Sequence, residues 1–160
     1  MRRLFILFLI IMILVLCGGC VLEDRDSALR SRIRQSASDL KPLMDEFSSD
    51  MKTSDYLAIQ ESAKSLSEKA KADDIQITGY QVSDSWEPTK SNYMAGMAQF
   101  EQIGDTLKYC SGVCGGEYEN GIRQKAMDEF NSGCDYMNRS LDSLPAQEPS
   151  VIDEIFRPVA

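Results

Sequence analysis

The sequence predicts an all-α fold: an antiparallel four-helix bundle with up-down-up-down connections, set behind an apolar N-terminal segment. Three observations carry this reading. Apolar residues recur at intervals of three and four along four separate stretches, the period of one helix face. Turn and cap residues separate the stretches: Thr53-Ser54-Asp55, then Ser85 to Pro88, then Gly112 to Gly116. Each stretch would make a helix about 30–35 Å long at ~1.5 Å per residue, and none could hide its apolar stripe alone.

The first helix spans about residues 26–50, with Asp24, Asp26 or Ser27 available as its N-cap. Its stripe is Leu29, Ile33, Ala37, Leu40, Met44, Phe47 and Met51. Pro42 lies inside this run and removes a backbone donor, so a kink there, or a split after Leu40, is expected. The second helix starts behind Asp55, with Tyr56, Ile59, Ala63, Leu66 and Ala70 on one side, and fades at Asp73-Asp74. Beyond it Ile75, Ile77, Tyr80 and Val82 alternate with polar residues around Gly79. A single such stretch has no strand to pair with, so it is expected as an extended loop between helices two and three.

Ser85-Trp86-Glu87-Pro88 reads as the start of the third helix, with a cap, an acidic first turn and a proline whose missing donor does no harm. Gly96, Phe100, Ile103, Leu107 and Cys110 form its stripe, with Tyr93 and Met97 beside it, and it must stop at Ser111-Gly112 or Gly115-Gly116. The fourth helix covers about 117–143 through Ile122, Met127, Phe130, Cys134, Met137, Leu141 and Leu144, with a bend expected at Asn131-Ser132-Gly133. Pro145 ends it. The chain thus divides into a leader over 1–20, a short tether over 21–27, the bundle over 28–144 and a C-terminal tail over 145–160. That tail carries Val151, Ile152, Ile155 and Phe156, suited either to closing the bundle or to serving as a short partner-binding motif.

The leader has a chemistry of its own. Arg2 and Arg3 precede thirteen unbroken apolar residues, Leu4 to Leu16, and Gly18-Gly19-Cys20 follow. Charge, apolar core and small residues in that order are the pattern of a secretory signal. The segment resembles the signal of prokaryotic membrane lipoproteins, and the resemblance covers residues 1–20 alone. It implies cleavage after Gly19 and a lipid on the Cys20 thiol. The alternative is an uncleaved transmembrane anchor over Leu4–Leu22, nineteen residues against the ~20 that span a bilayer. Either way the body is expected on the extracytoplasmic side of a cell membrane and tethered to it.

Composition narrows the chemistry. Two of the 17 basic residues lie in the first twenty positions and none of the 25 acidic ones do, so the rest of the chain has a net charge of −10. Such a surface repels nucleic acid, whose binding rests on Lys and Arg neutralising phosphates. It would also be held off an anionic membrane, so attachment falls to the anchor. There is no histidine, which removes Ser-His-Asp and Cys-His catalysis, His-ligated haem and most zinc enzymes. No catalytic residue, metal site or cofactor is assigned. Pairs such as Asp73-Asp74 and Asp153-Glu154 read as solvated charge, since no loop spaces oxygen ligands as a calcium site does.

With Cys17 in the leader and Cys20 lipidated, Cys110, Cys114 and Cys134 remain. In a helical hairpin turning near residues 112–116, Cys134 lies ~24 Å beyond the level of Cys110, whereas a disulfide needs Cα atoms within ~7 Å. Cys110–Cys114 is therefore the expected bond, stapling the turn, with Gly112 letting the chain break between them. A thiol-redox role for that pair is the alternative, although CSGVC lacks the two-residue spacing and the flanking cation of redox motifs. Cys134 is expected as a small buried apolar residue. Asn138-Arg139-Ser140 is a glycosylation sequon, but Asn138 falls on a predicted helix beside a core position, so occupancy is not expected. The functional expectation is a non-enzymatic helical lipoprotein that binds a protein or envelope partner. A small-ligand binding or sensing bundle is the alternative.

Overall fold

The computed structural model describes residues 2–108 and 116–144, with side chains from Arg25 onward. Among them are four helices and no strand: α1 (Arg2–Asp50), α2 (Tyr56–Thr78), α3 (Glu87–Leu107) and α4 (Gly116–Asp142). α1 packs on α2, α2 on α3 and α3 on α4, each helix against its neighbour in sequence, as in an antiparallel bundle. The apolar stripes meet in one core. Leu29, Ile33, Leu40, Phe47, Ile59, Leu66, Phe100, Ile103 and Leu107 are all fully buried in it.

The expected break at Pro42 does not occur: α1 runs through it. The ring stands on the exposed face while Leu40 and Met44, on either side, are buried, so core packing holds the helix together across the missing hydrogen bond. α2 begins as expected, the Asp55 side chain accepting from the Leu57 and Ala58 amides at 3.1 and 3.2 Å. It does not fade at Asp73-Asp74 but continues to Thr78. Ile77 is buried and Ile75 exposed, which is helical rather than alternating placement.

The connection from α2 to α3 is therefore shorter than expected, residues 79–86, and it grips the start of the α1 face. The Ser83 amide and hydroxyl donate to the two Asp26 carboxylate oxygens at 2.9 and 2.6 Å, and Arg25 donates to Gln81 at 3.0 Å. Trp86 rather than Ser85 occupies the cap position of α3, and its side chain is buried instead of capping. α4 is unbroken through Asn131-Ser132-Gly133. Gly133 serves contact rather than bending: a Cβ there would meet the Phe100 ring at 2.7–2.9 Å and closer. Phe130 lies between Phe47 and Phe100, with ring centroids 5.3 and 5.8 Å away, and so joins α1, α3 and α4.

Two expectations are corrected. Among the described residues there is no disulfide: Cys134 is a free thiol, buried on the α4 stripe, where it acts as an apolar side chain. Cys110 and Cys114 lie outside the described residues. Among the described residues, too, no helix is long and apolar enough to cross a membrane. The side chains of Leu4–Leu22 and the whole tail over 145–160 lie outside that description.

Candidate functional site

The first unusual cluster is a carboxylate in the core. The α2 stripe runs Ile59, Ala63, Leu66, Ala70 and Ile77, and the position between Ala70 and Ile77 belongs to Asp73, which is fully buried. Helical spacing puts it there. Read as one of a solvated acidic pair, it is instead the centre of a network joining three helices.

From α1, Arg32 donates to Asp73 Oδ1, and Ser36 Oγ donates to Asp73 Oδ2 at 2.5 Å. From α2, Lys69 Nζ donates to Asp73 Oδ1 at 3.0 Å and to Asp39 Oδ2 at 2.9 Å. From α3, the Tyr93 hydroxyl donates to Ser36 Oγ at 2.6 Å. Two cations and two carboxylates balance the charge.

Protonation in the network is fixed by its surroundings. Burial works against the Lys69 ammonium, but hydrogen bonds to Asp39 and Asp73 outweigh it and raise its pKa. Burial also pushes Tyr93 well above the ordinary tyrosine range, the bond to Ser36 only partly opposing it. Lysine stays charged and tyrosine stays a neutral donor, so the groups suit a fixed clamp better than proton transfer. Among the described residues Arg32 Nε is buried with no hydrogen-bond partner.

At the other end of the bundle, Arg123 of α4 donates to the Met51 and Thr53 carbonyls, the second at 2.9 Å. It thus places a cation at the negative end of α1. Its guanidinium also lies 5.9 Å from the centre of the Tyr56 ring. Leu57 and Tyr118 beside this contact are strongly exposed.

The second candidate is a groove between α2 and α3, about 430 Å³ in volume. Gln60, Lys64, Ser67 and Glu68 line one wall, and Gly104, Asp105, Leu107 and Lys108 the other. The walls are tied at both levels. Gln60 Nε2 donates to the Leu107 carbonyl at 3.2 Å, and Ser67 Oγ donates to the Glu101 carbonyl at 2.8 Å. Gly104 allows the close approach, since a Cβ there would fall 2.6 Å from Ser67 Oγ. The chain matches no protein-family model, curated protein or solved structure.

Of the residues singled out in the sequence, Cys110 and Cys114 lie outside the described residues. Cys20 lies within α1, ahead of the described side chains. Asn138 is half-buried inside α4, next to fully packed Met137. Among the described residues no three His, Cys, Asp or Glu side chains are placed to hold a metal ion. Burial, with Asp135 adding to it, pushes the Cys134 thiol up to about 12. From an ordinary thiol pKa of 9.0, that leaves roughly a thousandfold less thiolate at pH 8. Iodoacetamide at that pH should modify Cys134 at least ~100-fold more slowly in the folded chain than in urea, as read by mass spectrometry of its peptide. Comparable rates would show that the core around it opens freely.

Proposed function

We propose that the chain is a lipid-anchored extracytoplasmic helical domain that works by binding a protein or envelope partner rather than by catalysis. The observation that carries the reading is the continuity of α1, an unbroken helix from the leader into the core. Cys20 lies nine residues before Leu29, the first buried side chain, so a lipid there would sit ~13 Å along the helix from the core. A helical stem this short would hold the bundle close to the bilayer without a loose linker. The net charge of −10 beyond the leader supports a partner with basic groups over nucleic acid or an anionic lipid surface.

Replacing Cys20 by Ser tests the anchor. The expected result is loss of incorporated radiolabelled palmitate, retention of the leader, and a shift in mobility on denaturing gels. Unchanged labelling and processing would reject the lipoprotein reading.

A second reading, small-ligand binding, is supported by the groove between α2 and α3. Its volume of about 430 Å³ falls within the ~300–1,000 Å³ of known ligand sites. Its walls are one face of α2 and one of α3, so a ligand there would bind between two helices.

A further inference from the structure

The groove between α2 and α3 is charged in a definite order. The bonds from Gln60 to Leu107 and from Ser67 to Glu101 set the register of the two antiparallel helices. Lys64 therefore lies level with Gly104 and Asp105, and Lys108 stands about a turn away, level with Gln60. Glu68 lies a turn in the opposite direction. Positive groups gather toward the C-terminal end of α3, a carboxylate marks the far end, and Asp105 stands between. Eight residues of α2, ~12 Å, separate the level of Lys108 from that of Glu68.

The Lys64 and Glu68 side chains are accessible. Lys64 and Glu68 form an i,i+4 pair at 3.8 Å with side chains 74% and 69% exposed, and such a pair contributes little. A ligand that replaces it with closer partners loses almost nothing. The floor is firm, because Gly104 lets Ser67 pack directly on the α3 backbone.

We infer that this groove binds a short zwitterionic peptide of two or three residues, its carboxylate on Lys64 and Lys108 and its ammonium on Glu68. The inference rests on the small-ligand reading above and names its ligand class. Three extended residues span ~10 Å, and the charged side chains at either end cover the rest of the ~12 Å between the levels of Lys108 and Glu68. A single amino acid would reach one end only, whereas a dianion or a diamine would set one of its charges against a like charge. Asp105, midway, is placed to accept from a peptide N–H.

The test uses the full chain in detergent micelles, isotope-labelled and followed by its backbone amide resonances. Four probes are titrated separately: trialanine with free ends, N-acetyl-trialanine amide, 1,5-diaminopentane and glutarate. Saturable shifts at residues 60–68 and 104–108 are expected with free trialanine. Lys64→Glu and Glu68→Lys should each weaken them on the order of tenfold. Lys41→Glu, which breaks an i,i+4 pair with Asp45 on α1, should leave them unchanged. All three positions are exposed, so the fold is retained.

Equal binding of the blocked peptide, or stronger binding of the diamine or glutarate, overturns the zwitterionic assignment and leaves a ligand site standing. If none of the four moves the groove resonances at about 10 mM, far above useful affinities, the assignment and the small-ligand reading fall together.

Discussion

Replacing Asp73 with Ala should destabilise the bundle by about 3–5 kcal/mol, the usual cost of removing one partner from a buried ion pair. Asp73 is fully buried and accepts from Arg32, Ser36 and Lys69. Its loss strands the Arg32 guanidinium and the Ser36 hydroxyl and leaves Lys69 with Asp39 alone. The lower end of the range is expected, because the Arg32 and Lys69 side chains keep 14% and 24% exposure and can recover some water. Asp73→Asn keeps the shape and an acceptor for Ser36 but not the charge, so it should fall between Ala and the native residue.

The informative variant is a double one. Asp73→Leu with Arg32→Met removes the charge on both sides and fills the space with apolar atoms, while Lys69 keeps Asp39 as its partner. It should recover most of the stability lost in Asp73→Leu alone. Urea unfolding followed by circular dichroism measures all four. If Asp73→Ala cost less than about 1 kcal/mol, the network would not be holding α1, α2 and α3 together.

That residue also shows where sequence reading stops. The stripes of all four helices were legible because apolar side chains at a spacing of three and four have one use in a chain of this length. Asp73 sits on the α2 stripe by the same spacing, between Ala70 and Ile77, yet a carboxylate there reads as the end of a pattern. The alternation of Ile75 and Ile77 that followed suggested an extended loop for the same reason. What makes the position tolerable comes from elsewhere: Arg32 and Ser36 from α1, Tyr93 through Ser36 from α3. No local rule pairs residues about forty and twenty positions away.

Pro42 fails differently. The missing donor is visible in the sequence, but the packing of Leu40 and Met44 that carries the helix past it is not. The groove was out of reach altogether, since its residues are polar positions on two helices whose register depends on the finished core. Cys134 was legible, because burial on a stripe needs no partner.

Gly133→Ala should destabilise the bundle by about 1–2 kcal/mol, although glycine-to-alanine changes inside helices ordinarily stabilise. Two effects oppose each other. Alanine gains ~0.5–1 kcal/mol in helix propensity. The added Cβ would lie 2.7 and 2.9 Å from Phe100 Cδ1 and Cζ and closer still to Cε1, and overpacking of this kind costs about 1–3 kcal/mol. The ring has nowhere to go, because Phe100 is fully buried and lies tilted against Phe130, which in turn meets Phe47.

Gly121, twelve residues earlier in the same helix, has nothing within 4 Å of such a Cβ. Gly121→Ala should therefore show the propensity gain alone, raising stability by ~0.5–1 kcal/mol. Gly96→Ala should be milder than Gly133→Ala, since the contacts of its Cβ are longer, the Met137 side chain at 3.1 Å and the Gly133 carbonyl at 3.2 Å. Phe100→Leu in the Gly133→Ala background should cost less than in the native chain, because the smaller side chain makes room for the methyl group. Additive losses in that cycle would show that Gly133 and Phe100 do not share the space where α3 and α4 cross.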